Sequence, residues 1–115
     1  MSEQEEMIDF SAFQNVDIRV GIIRSVERAE GVRIPAYKLM IDFGHDIGTK
    51  KSIAQATNYA GEELLNKQIL AVVNLKPRQV GTHLSEVLTL GVPTEDRGTA
   101  LVVPDMTAVV GGKLF

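Results

Sequence analysis

The stretch "AYKLMIDFG", residues 36–44, places Tyr37, Leu39, Ile41 and Phe43 on one side and Lys38, Met40 and Asp42 on the other. That period of two is the pattern of a β-strand with one face in a core. Further runs of strand length surround it. Ile18, Val20 and Ile22 open a strand that continues towards Val26, and Gly21 inside it predicts a bulge or sharp bend. "TKKSIAQAT" is a more polar strand with Lys51, Ile53 and Gln55 on one face and Lys50, Ser52 and Ala54 on the other. "QILAVVNL", "SEVLTLG" and "TALVVP" supply three more. Between the third and fourth strands "YAGEELLNK" reads as a helix of about two turns, acidic at its start and basic at its end as the helix dipole favours. A second short helix is expected near Met7 to Asp17, with Asp9 as N-cap and Phe10 and Phe13 on one face.

Short strands with one helix between the third and fourth give the order β-β-β-α-β-β plus C-terminal extensions. The class is all-β with short helices, and the order fits an OB-fold, a five-stranded Greek-key barrel. Another small β-barrel or an α+β sandwich are the alternatives. With 115 residues the chain suits one domain. Residues 1–16 read as an N-terminal extension with a short helix, and 17–115 as the barrel with its C-terminal extension.

Charge and composition narrow the functions. The net charge is −3, but residues 1–14 carry −4 and residues 95–115 carry −1, which leaves +2 on residues 15–94. A small basic excess is compatible with a nucleic-acid patch and equally with an ordinary solvated surface. There is no cysteine, so disulfides, thiolate metal sites and a cysteine nucleophile are excluded. The acidic start lacks the pattern of a signal peptide and no apolar run approaches a membrane span, so a cytoplasmic protein without membrane insertion is expected.

Nothing in the motifs points to catalysis. His45 and His83 lie in turn-like stretches, and the phosphate-loop, nucleophile-elbow, zinc-helix and dinucleotide fingerprints are all missing. Glu62 and Glu63 are adjacent on a helix and diverge by about 100°, so they do not form an acid–base pair. His45 and Asp46 offer two metal ligands where a zinc site needs three or four. No catalytic residue, metal or cofactor is therefore expected. The informative segment is "NLKPRQVGTHLSEVL", residues 74–88, where Pro77 stiffens a strand exit between Lys76 and Arg78. Two cations on a rigid segment suit phosphates or a carboxylate, and a solvated loop is the alternative.

Taken together, "DIRVGIIRSVERAEGVRIPAYKLMIDFG", "GEELLNKQILAVVNLKPRQVGTHLSEVLTLG" and "VVPDMTAVVGGKLF" resemble the tRNA-binding domain family. That family includes the C-terminal appendage of methionyl-tRNA synthetases and the endothelial monocyte-activating polypeptide domain. The form Ser85-Glu86-Val87-Leu88, where the wider family has Ser-x-Gly-Met, and Ile34-Pro35 in place of its His-Pro, are similar to the free-standing CsaA branch. The resemblance implies a non-enzymatic OB-fold homodimer that binds tRNA by its structure, and a possible second role as an export-related chaperone for unfolded or precursor polypeptides. It implies that Asn74, Lys76, Arg78 and Ser85 contact phosphate or sugar and that Lys51, Ser52 and Gln55 line the same concave face. Under a peptide-binding alternative, Leu84, Val87 and Leu88 would form a groove floor. Phe10, Phe13, Val102, Val103, Val109 and Val110 are candidates for the dimer interface or, equally, for core packing. Tyr37 and Phe43 are expected in the core.

Overall fold

The computed structural model describes residues 6–115, and the first part of the acidic N-terminal stretch lies outside them. The element order is α1 (Phe10–Gln14), β1 (Ile18–Arg28), β2 (Tyr37–Asp42), β3 (Thr49–Ala54), α2 (Gly61–Leu64), β4 (Gln68–Val72), β5 (Arg78–Val80), β6 (His83–Ser85), β7 (Leu88–Thr89), β8 (Gly91–Pro93) and β9 (Thr99–Leu101). Five strands form one antiparallel sheet in the order β3-β2-β1-β4-β7, and β5-β6 and β8-β9 are separate two-stranded hairpins. The sheet curls into the nearly closed five-stranded barrel of an OB-type fold.

The alternation in "AYKLMIDFG" builds the core as the sequence demands. Tyr37, Leu39, Ile41 and Phe43 are all buried, with Ile23, Leu64, Ile69 and Ala71 packed against them. Tyr59, half-buried beside this cluster, accepts the Leu101 N–H at its hydroxyl, 3.1 Å, and its carbonyl accepts the Tyr37 hydroxyl, 2.8 Å.

Several local features differ from the sequence reading. The bulge in β1 falls between Ile23 and Ser25, not at Gly21. Gly21 is required for another reason: a Cβ there would lie 2.5 Å from Ile41 Cγ2 and 2.7 Å from the Phe43 ring. α2 is one turn, not two. Its start has half a capping box, with Glu63 Oε1 accepting the Ala60 N–H at 2.7 Å, because alanine has no oxygen to return the bond. Asp9 stands at the N-cap of α1 without a side-chain cap bond. The expected strand "SEVLTLG" breaks into β6 and β7, and Arg78, expected in a loop, starts β5.

The sheet ends, β3 and β7, meet along a seam made largely by side chains. Ser52 Oγ and Thr89 Oγ1 share a hydrogen bond of 2.8 Å. The Lys51 N–H donates to Glu86 Oε1 at 2.8 Å, the Glu86 N–H donates to the Lys51 carbonyl at 2.8 Å, and the Ile53 N–H donates to Ser85 Oγ at 3.0 Å. Backbone groups on a strand edge must be paired or covered, and residues 85–89 do this for β3.

Candidate nucleic-acid interface

Two loops frame one end of the barrel: residues 29–36 between β1 and β2, and residues 73–87, which contain the β5-β6 hairpin. In OB-folds the corresponding loops border the ligand face. Here they touch directly. Gly81 has φ +58°, and a Cβ on it would collide with the Gly31 carbonyl oxygen. His83 Nε2 lies 2.6 Å from the Glu30 carbonyl oxygen and donates to it.

Below this junction lies the outer face of β3. The pairing of Met40 with Lys51 and of Lys38 with Ile53 puts Lys51 and Ile53 on the face opposite the Leu39 cluster, where Lys51 is half-buried and Ile53 is buried. Two shallow grooves meet there and share Ile53, Gln55 and Arg78. One, of about 290 Å³, runs towards Val32, Arg33, Ile34 and Val80. The other, of about 370 Å³, runs towards Leu88, Val92, Thr99 and Leu101. Among the described residues, the ion pairs are Arg19–Asp17, Arg24–Asp42 and Lys38–Glu27, so Arg33, Lys51, Lys76 and Arg78 are not held by a carboxylate there. Arg19, by contrast, is held: its hydrogen bond with Asp17 raises its pKa above the ordinary value, and burial only partly opposes this.

The residues singled out from the sequence divide into two groups. Gln55 and Arg78 come together along both grooves, exposed Lys76 lies on the same segment as Arg78, and Lys51 stands on the same face of β3 as Ile53 but lines neither groove. Ser52 and Ser85 do not belong on this surface, since both are buried and their hydroxyls serve the seam; Ser85 Oγ also donates to the Val87 carbonyl at 3.1 Å. Asn74 braces the entry to β1, its Oδ1 accepting the Asp17 N–H at 2.9 Å and its Nδ2 donating to the Asn15 carbonyl at 2.8 Å. Val87 is a core residue and forms no groove floor, whereas Leu84 is exposed and Leu88 lines the larger groove. Arg33 escaped the sequence reading. Its only signal was its place beside Gly31 and Pro35 in a loop whose docking is a tertiary matter.

The proposed interface residues are not core. Phe10 is 69% exposed and Val109 78%, Val103 is also exposed, and Phe13, Val102 and Val110 are half-buried. Phe10 and Phe13 have ring centroids 5.8 Å apart and line an apolar groove of about 250 Å³ with Val16, Leu114 and Phe115. Among the described residues no cluster of three or more His, Cys, Asp or Glu could hold a metal ion, and no helix is long and apolar enough to cross a membrane.

Comparison with known proteins agrees with this architecture. The structure of the CsaA chaperone protein from Picrophilus torridus is 49% identical and superposes with a TM-score of 0.90 over 95% of this chain and 100% of that one. The chaperone CsaA from Bacillus anthracis is 40% identical, with a TM-score of 0.88 over 96% of this chain and 100% of its own. The methionine–tRNA ligase of Leptospira biflexa is 35% identical over 115 residues, which is 96% of this chain and 16% of the ligase. The chain thus spans about one sixth of the length of such ligases. Residues 18–113 match the family model described as "Putative tRNA binding domain". From β1 to the last extended segment, the chain belongs to the tRNA-binding domain family, and its fold is similar to that of the CsaA chaperone proteins.

Proposed function

We propose that this protein is a non-enzymatic, cytoplasmic homodimer that binds tRNA by its structure, through Lys51, Gln55, Lys76, Arg78 and, in addition, Arg33. The observation that carries this reading is the convergence of both loops on one face whose cations have no carboxylate partner among the described residues. Folded RNA is bound largely through phosphate and 2′-hydroxyl groups, for which lysine, arginine and glutamine are suitable donors. Few aromatic rings are available, 5% of the chain, and Tyr37 and Phe43 are buried, so a stacked single strand is not the expected ligand. A twofold axis would double the cations on a large ligand. The exposed apolar groove at Phe10, Phe13 and Phe115 supports a dimer through the termini.

Titration with total tRNA by fluorescence anisotropy at several salt concentrations tests this. About six phosphate contacts would give a slope of log K against log salt of roughly −4 to −5. Absence of binding at low salt overturns the proposal. Light scattering on the eluting protein reports the dimer, and Phe10→Glu with Phe115→Glu should yield a monomer.

A second reading is favoured by the larger groove, where Ile53, Leu88, Val92 and Leu101 form an apolar strip among the polar Gln55, Arg78, Thr89 and Thr99, and by the likeness to chaperone structures. Unfolded or precursor polypeptides, including those bound for export, would lie there. Lys76→Ala with Arg78→Ala should weaken tRNA binding and leave apolar peptide binding largely intact. Equal loss of both by a folded variant would refute a separation of the two activities.

A further inference from the structure

We infer that the smaller groove is a preformed slot for one unpaired nucleobase, read at its edge by Gln55 and flanked by Arg33 and Arg78 on the adjoining phosphates. This rests on the tRNA-binding reading and makes that same face specific for a particular RNA feature. At about 290 Å³ the slot lies at the small end of ligand pockets, roughly 300–1,000 Å³. It suits a single planar ring system better than a run of stacked bases.

Its walls are apolar and aliphatic. Val32 and Ile34 come from the β1–β2 loop, Ile53 from β3 and Val80 from β5. Extruded bases are held between apolar or aromatic side chains, so the shortage of aromatic rings does not preclude a base here. Gln55 is exposed and lines the groove. A primary amide offers a donor and an acceptor side by side, the pattern that pairs with an adenine edge. Arg33 and Arg78 belong to opposite loops, and each guanidinium can grip a phosphate oxygen pair. An apolar peptide side chain would use the walls but would leave these three polar groups without a role.

The slot is preformed because the two loops are clasped. Any side chain at Gly81 would collide with the Gly31 carbonyl, and a Cβ on Gly31, at φ +73°, would meet Thr82 Oγ1 at 2.9 Å. The His83–Glu30 bond closes the same junction. A rigid cleft avoids the ordering cost that a mobile loop would incur on binding.

Two RNA hairpins, identical except for one bulged adenosine, test the inference, with 2-aminopurine beside the bulge as a second reporter that leaves the N6 amino group of the bulged adenosine in place for Gln55. The wild-type protein should prefer the bulged hairpin by about tenfold and change the 2-aminopurine emission. Gln55→Ala should abolish the preference while leaving the salt slope unchanged. Arg33→Ala should reduce that slope by about one, because a single phosphate-binding cation is removed. Equal affinity for the two hairpins, with tRNA binding intact, overturns the slot alone. Failure to bind either hairpin or tRNA at low salt overturns both this inference and the function it rests on. A preference that survives Gln55→Ala overturns the edge contact, and binding of an apolar peptide in the slot while the bulged hairpin leaves the 2-aminopurine emission unchanged assigns the slot to a peptide side chain.

Discussion

Arg78 and Ser85 pair across the β5-β6 hairpin, yet they belong to different regions of the molecule. Ser85 is part of the seam, where Lys51 to Ile53 meet Ser85 to Thr89 and the Ser52, Ser85, Glu86 and Thr89 side chains all have protein partners. Arg78 is part of the rim, where Arg33, Gln55 and Lys76 also stand, exposed or lining open grooves. The same residue types that suggest ligand contact in a sequence thus do two jobs. Burial with satisfied hydrogen bonds marks a structural polar group, and exposure without partners marks one available to a ligand.

The junction between seam and rim offers the strongest way to break this distinction. Gly81→Val places a β-branched residue at φ +58° with its Cβ against the Gly31 carbonyl. Left-handed strain and overpacking together should cost about 3 kcal/mol, a fall in melting temperature on the order of 10 °C. Because the clasp also sets the distance between the loops, tRNA affinity should fall as well, which a thermal melt and an anisotropy titration read separately.

Ser85→Ala confines the damage to the seam. It removes the acceptor of the buried Ile53 N–H and should lower stability by about 1–3 kcal/mol in a denaturant titration. The salt slope for tRNA should stay as in the wild type. A changed slope with unchanged stability would place Ser85 on the ligand face after all. The converse variant, Lys76→Ala with Arg78→Ala, should leave stability within about 0.5 kcal/mol and reduce the salt slope by about two for the two cations removed.

These contrasts also explain what could be read from the chain alone. β2 was legible because alternation follows directly from a sheet with one buried face, whereas β3, whose last three residues are all buried, was legible as a strand but not in which of its residues face solvent. Lys51 was set opposite Ser52, as the strand register has it, with Gln55 falling just beyond the end of β3, although the resemblance then drew Ser52 onto the ligand face. The hairpin β5-β6 was not legible, since strands of three residues carry too little periodicity and are held by their register and by the docking of residues 29–36. The bulge at Arg24 left no glycine signature, while Gly21 carried one for a packing reason. Arg33 could not be distinguished from a solubility charge until Gly31 and Gly81 brought its loop across the barrel end.

The smallest effect is expected at the far wall of the larger groove, in the turn between β8 and β9. Thr94 Oγ1 donates to Asp96 Oδ1 at 2.5 Å and accepts the Gly98 N–H at 2.7 Å. Hydrogen bonding to the carboxylate, the threonine hydroxyl's first, holds the Asp96 carboxyl below its ordinary value. A depressed folded value means that the contribution to stability is fully present above the unfolded value, about 3.9, and is lost as pH falls through the folded one. Acidification should therefore loosen this turn, seen as faster amide exchange at Gly98, while the global melting temperature hardly changes on this account. The reason is solvation. Asp96 is fully exposed, so its carboxylate orders a loop tip that water can solvate equally well, whereas Ser85 satisfies a backbone group that water does not reach. If Asp96→Asn lowered the melting temperature as much as Ser85→Ala, the turn would be part of the seam, and the larger groove would have a fixed wall on both sides.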